Sequence, residues 1–78
     1  MKTKKSRIIT IDPEVLGGTP VFTATRVPIQ SLFDYIESGE TVEEFISNFP
    51  TVKKNQAIEV LELAKKLLTQ EVLHEDLA

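Results

Sequence analysis

Cysteine is absent from this 78-residue chain, which excludes disulfide staples and thiolate metal sites as supports for a small core. No run of 18 apolar residues occurs, so no segment reads as a membrane span. The opening run MKTKKSRIIT begins with basic residues, but Ile8 and Ile9 are followed at once by Thr10 and Asp12, which is no signal peptide, and a cytoplasmic location is expected. Glycine is scarce. The pair Gly17-Gly18 lacks the further glycine, lysine and helix start of a P-loop, and with Pro20 it marks a tight turn. Histidine occurs once, as His74, with no second ligand at a fixed spacing. Ser6, Ser31, Ser38 and Ser47 have no histidine base within the core, and the carboxylates are scattered where a metal nuclease needs several to converge. These absences point to a binding module without catalytic activity or cofactor.

A chain this short holds one domain, and such domains bury only about 60–65% of the surface exposed when unfolded. Self-association is an economical source of further burial, so a homodimer is expected. The net charge of -3 is unevenly laid out. Residues 1–36 carry Lys2, Lys4, Lys5, Arg7 and Arg26 against Asp12, Glu14 and Asp34, a net of +2, whereas residues 37–78 net -5. A uniformly basic nucleic-acid binder is excluded; a molecule with one basic and one acidic face is not.

Residues 1–7 read as a flexible basic arm, residues 8–69 as the folded domain and residues 70–78 as a C-terminal extension. The β-branched run Ile8 to Asp12 and the stretch Val21 to Val27 predict a hairpin or extended pair. Pro28 suits a first helical turn, and Ile29, Leu32, Phe33 and Ile36 then follow at helical spacing until Gly39. Thr41 and Glu44 form a capping-box pattern ahead of Val42, Phe45, Ile46 and Phe49, and Pro50 closes that helix. A third helix is predicted from about Val52 to about Thr69, with Ala57, Val60, Leu61, Ala64, Leu67 and Leu68 on one stripe and Glu59, Glu62, Lys65 and Lys66 facing away. The expected fold is mainly α: a three-helix, helix-turn-helix-like domain preceded by a short N-terminal β-hairpin or extended pair.

The segment Ile11-Asp12-Pro13-Glu14-Val15-Leu16-Gly17-Gly18-Thr19-Pro20-Val21-Phe22, followed by Thr25-Arg26-Val27-Pro28-Ile29, resembles the family named domain of unknown function 433. Leu32 to Gly39, Thr41, Glu43-Glu44-Phe45-Ile46 and Phe49-Pro50 follow the same pattern, so the resemblance covers about residues 8–68. It implies a helix-turn-helix-like domain acting as the antitoxin of a toxin-antitoxin pair, with a PIN-like nuclease as the toxin partner. Two positions depart from the family. Ala24 stands where glycine is usual, so a positive φ there is costly. Lys53-Lys54-Asn55-Gln56 replaces Thr-Pro and two acids, which leaves Thr51 as the candidate cap.

Cations at a helix N-terminus oppose the macrodipole, so Lys53 and Lys54 call for an explanation. In a helix-turn-helix, Thr51, Lys53, Lys54, Asn55 and Gln56 form the edge that meets operator DNA, Asn and Gln suiting adenine and Lys suiting guanine or phosphate. An ordinary solvated helix start accounts for the same residues. Lys2, Lys4, Lys5 and Arg7 are candidate phosphate contacts. Arg26 is assigned a structural role, pairing with Asp12, Glu14 or Asp34, although its forked guanidinium also suits a partner's carboxylate or a phosphate, and Gly17, Gly18 and Pro28 are likewise structural. Glu59, Glu62 and Glu71 with Val72, Leu73 and Leu77, extended by Glu75 and Asp76, are the candidate partner-binding surface.

The reading that follows is a DNA-binding antitoxin of a type II pair, neutralising a PIN-like toxin and repressing its own promoter. The alternative is a protein-interaction module that binds no DNA. A ribbon-helix-helix dimer reading DNA through Val21 to Val27 is a third arrangement, opposed by the strong third helix.

Overall fold

The N-terminal lysines form a strand. In the computed structural model, which describes residues 3–72 and side chains as far as residue 70, Lys4–Lys5 (β1) pairs antiparallel with Ile9–Ile11 (β2), Lys4 facing Ile11 and Lys5 facing Thr10. The turn between them is closed by Ser6, whose backbone N–H donates to the Ile9 carbonyl (2.8 Å) and whose Oγ accepts from the Ile8 and Ile9 N–H groups (3.2 and 2.9 Å). The described part of the expected basic arm thus lies in an edge strand and a serine turn, and lysines suit the exposed edge strand they occupy.

Val21–Phe22 (β3) completes a three-stranded antiparallel sheet in the order β1-β2-β3, with Ile9 opposite Phe22 and Thr10 opposite Val21. Between β2 and β3 lies a 3-10 turn, Leu16–Gly18, where Gly17 (φ 65°) and Gly18 (φ 92°) take the left-handed backbone expected of turn glycines. The run Val21 to Val27 is not one strand. Ala24 adopts φ 67°, Thr25 N–H donates to the Phe22 carbonyl (3.0 Å), and Phe22 N–H donates to the Val27 carbonyl (3.0 Å), so the chain doubles back over residues 23–26. A two-residue strand removes the ribbon-helix-helix arrangement.

Pro28 is the N-cap of Ile29–Glu37 (α1), and the Ile29 N–H finds a partner in the Pro20 carbonyl at 3.0 Å. Gly39, at φ 86°, lies just past the end of α1 as the left-handed residue that ends a helix. Val42–Asn48 (α2) starts with the full capping box: Glu44 N–H donates to Thr41 Oγ1 (3.1 Å) and Thr41 N–H donates to Glu44 Oε1 (3.0 Å). Lys54–Leu67 (α3) follows, continued by a wider π turn over Leu68–Val72. The fold is thus three helices and a small antiparallel sheet.

Phe22, Leu32, Phe45, Val52, Ala57 and Val60 form the buried cluster that joins sheet and helices. Phe45 is its centre, with ring centroids 5.8 Å from Phe22, 5.4 Å from Tyr35 and 5.0 Å from Phe49. Offset and edge contacts at these distances add to the area the rings bury. Of the expected α1 stripe, Leu32 is buried and Ile29 and Phe33 pack against the core, but Ile36 is exposed, and Tyr35 packs on Phe45 and Phe49 instead. Ala57 and Val60 of α3 are buried and Leu61 packs against the core, whereas Leu63, off that stripe, is exposed, and Leu67 and Leu68 are exposed where the helix and the π turn outrun the core.

Candidate nucleic-acid interface at the start of the third helix

The first two turns of α3 are fastened from three sides. Lys53, not Thr51, is the N-cap. A lysine ammonium has no acceptor to offer the helix, so only the reciprocal half of a capping box exists here: Lys53 N–H donates to Gln56 Oε1 at 2.9 Å. The other end of the same amide, Gln56 Nε2, donates to the Thr23 carbonyl at 3.1 Å. One half-buried side chain thus holds the helix start and ties it to the turn containing Ala24. Gln56, placed on the DNA-reading edge by its sequence position, has its amide oxygen and one donor committed inside the molecule.

The second fastening is between Arg7 and Glu59, a forked pair with Arg7 Nη2 2.6 Å from Glu59 Oε1 and Nη1 donating to Oε2 at 2.9 Å. Glu59's hydrogen bond, and then its charge, raise the Arg7 pKa above its ordinary value. The pair joins the turn after β1 to the second turn of α3, across 52 positions of sequence. The third is Lys54 Nζ with Glu43 Oε2 at 3.0 Å, bridging α3 to the first turn of α2. The Lys54 hydrogen bond, helped by Glu43's own backbone N–H and by the lysine charge, holds the Glu43 carboxyl below its usual value. This pairing also explains how a cation is tolerated at an α3 N-terminus whose dipole opposes it.

Around these fastenings lies an open depression of about 290 Å³ lined by Arg7, Thr51, Lys53, Asn55, Gln56 and Glu59, with Thr23 and Ala24 at its sheet side. Six residues that sequence position alone put in two separate groups, DNA-binding and partner-binding, therefore share one surface. Lys53, Asn55 and Thr51 are exposed there. A neighbouring depression of about 380 Å³ is lined by Lys5, Asp12, Thr25 and Arg26 among others, and also by Ala24. Arg26 is exposed and, among the described residues, forms no ion pair with Asp12, Glu14 or Asp34, which corrects its expected structural pairing. The reason is local: Asp12 Oδ1 accepts the Glu14 N–H at 2.9 Å, and Arg26 sits on the loop that doubles back at Ala24.

Lys4 is exposed on β1 but lines neither depression. Of the expected partner surface, Glu62 is exposed and 3.7 Å from Lys65, and Glu59 is turned toward Arg7. Glu71 and Val72 are described by backbone only, and Lys2, Leu73, His74, Glu75, Asp76 and Leu77 lie outside the described residues. Among the described residues no cluster of three or more His, Cys, Asp or Glu is arranged to hold a metal, and no helix is long and apolar enough to cross a membrane.

The chain is similar to the uncharacterized protein y4eO of Sinorhizobium fredii (strain NBRC 101917 / NGR234), 38% identical over 45 residues. The alignment takes in 58% of this chain but 20% of that protein, so the chain spans about a fifth of its relative's length. No solved structure matches the chain. A family model matches residues 9–64, a span that holds β2, β3, the Ala24 turn, α1, α2 and most of α3. The chain belongs to the family described as Protein of unknown function (DUF433).

Proposed function

We propose that this protein is a DNA-binding antitoxin of a type II pair, with α2, the intervening turn and α3 serving as its helix-turn-helix. It represses its own promoter and neutralises a PIN-like nuclease. The observation that carries the DNA half is the gathering of exposed Thr51, Lys53 and Asn55 with Arg7 around one open depression at the start of α3. A helix start that presents lysine and asparagine suits base edges and phosphates in a major groove. The toxin half rests on the family resemblance, on the exposed Leu63 and Leu67 of α3, and on the acids Glu59, Glu62, Glu71, Glu75 and Asp76 of the C-terminal third of the sequence, a combination that suits a basic RNA-binding partner.

The test is fluorescence anisotropy of the full chain with the DNA upstream of its own gene, at low salt and across a salt series. Binding that weakens steeply with salt, and is lost in Lys53→Glu, is the expected result. No binding at low salt overturns the DNA half. The second reading, a module that binds only a protein partner, draws on a specific feature: Glu59 puts a carboxylate into the same depression and engages Arg7, thinning its positive charge. It predicts that Lys53→Glu leaves capture of the adjacent gene's product and promoter output unchanged.

A further inference from the structure

The ion pairs divide the cations near the α3 start into two groups. Arg7 and Lys54 are engaged by Glu59 and Glu43. Lys5, Arg26 and Lys53 are exposed and form no ion pair among the described residues. These three are spread over the two adjoining depressions that meet at Ala24, Lys53 on the α3 side and Lys5 with Arg26 on the sheet side. A cation already paired with a carboxylate must break that pair to neutralise a phosphate, whereas an unpaired one releases a counterion from the nucleic acid directly.

Building on the DNA-binding reading above, we propose that Lys5 and Arg26 form a second contact point for the same nucleic acid, each neutralising one backbone phosphate beside the segment met by the α3 start. The Arg26 backbone is fixed for this. Thr25 Oγ1 donates to the Phe22 carbonyl at 2.8 Å and accepts the Val27 N–H at 3.0 Å, while Phe22 N–H closes the loop on Val27. The loop therefore stays folded while its guanidinium side chain reaches out, and the guanidinium fork matches two phosphate oxygens. Lys5 is held across the sheet by its pairing with Thr10 in β2. Asp12 lines the same depression, and its Oδ1 accepts the Glu14 N–H, so the two cations outnumber the one carboxylate. Ala24, at the shared rim, carries no side chain beyond Cβ to separate the two sides.

The experiment is the salt dependence of binding to the upstream DNA, measured for the wild-type chain, Lys5→Ala, Arg26→Ala, Arg26→Lys and Lys66→Ala. Each phosphate contact removed lowers the log-log salt slope by about 0.9. Lys5→Ala and Arg26→Ala are expected each to lose about that much. Arg26→Lys keeps the charge and most of the slope, and Lys66→Ala, remote on α3, keeps the wild-type value. Wild-type slopes in Lys5→Ala and Arg26→Ala, with binding still lost in Lys53→Glu, overturn this inference and leave the DNA-binding reading standing. Equal affinity losses in Arg26→Ala and Arg26→Lys at an unchanged slope assign Arg26 to the loop's structure and also overturn it. Absence of wild-type binding at low salt overturns both.

Discussion

The two halves of α3 are the same helix in different circumstances. At its start, Ala57 and Val60 are buried, Gln56 reaches back to the Ala24 turn, and Arg7 and Glu43 reach in from the sheet and from α2. From Leu63 into the π turn that continues the helix, Leu63, Leu67 and Leu68 are exposed, and the side-chain bonds are local ones, such as Thr69 Oγ1 donating to the Lys65 carbonyl at 2.8 Å. The first half is fixed by tertiary contacts; the second is held by its own backbone and presents surface. A reading edge needs the former, because side chains meeting base edges must be held in register. A protein-docking face is served by the latter.

Matched truncations along the helix give the widest test of this contrast. Val60→Ala removes two buried methyl groups and is expected to cost about 2 kcal/mol in chemical denaturation. Leu67→Ala, at 49% exposure, removes more carbon but is expected to stay within about 0.5 kcal/mol. Comparable losses at the two positions, measured in the full chain at low concentration, break the comparison. Gln56→Ala comes next, at about 1–2 kcal/mol, since it strips a helix cap and leaves the Thr23 carbonyl without its partner. Gln56→Glu keeps the acceptor for Lys53 N–H but turns a second acceptor toward that carbonyl, so it restores only part of the loss.

These outcomes also mark what sequence patterns carry. The α2 cap and its buried Phe45 were legible because Thr41, Glu44 and the apolar spacing act within a few residues of one another. The turn at Gly17 and Gly18 was legible for the same reason. The Arg7–Glu59 fork and the Gln56–Thr23 bond join residues far apart in sequence, and no periodicity announces such pairs. Tyr35 fell off the expected α1 stripe because the aromatic cluster on α2, and not the helix's own apolar average, decides which face turns inward. Arg26 was given an acid partner because three acids were near in sequence, yet an Asp12 turn and a left-handed Ala24 decide the local geometry.

Ala24 offers a smaller change of opposite sign. An L-residue at φ 67° places its Cβ against the following carbonyl, at a cost of about 1–2 kcal/mol. Glycine is free of that clash but has more unfolded-state entropy to lose, so Ala24→Gly is expected to raise stability by about 0.5–1 kcal/mol. A destabilised variant in thermal melts would show that the turn does not hold this backbone in solution.

The smallest effect belongs to the exposed pair between α2 and α3. Glu43 is held below the usual glutamate value of 4.5, first by the Lys54 hydrogen bond. A carboxyl lowered in the folded state adds stability above its unfolded pKa, and that contribution is lost as pH falls through the folded value. The loss therefore begins near pH 4.5 and runs downward, and salt screening keeps it small because both side chains are well exposed. A side-chain carboxyl NMR titration is expected to place Glu43 below an ordinary exposed glutamate. In Lys54→Gln the midpoint is expected to move up toward 4.5, stopping short of it because the backbone N–H still donates. An unmoved midpoint would mean that Lys54 is not held by Glu43 in solution, which would return Lys54 to the free cations of the α3 start and add one phosphate contact to its expected salt slope.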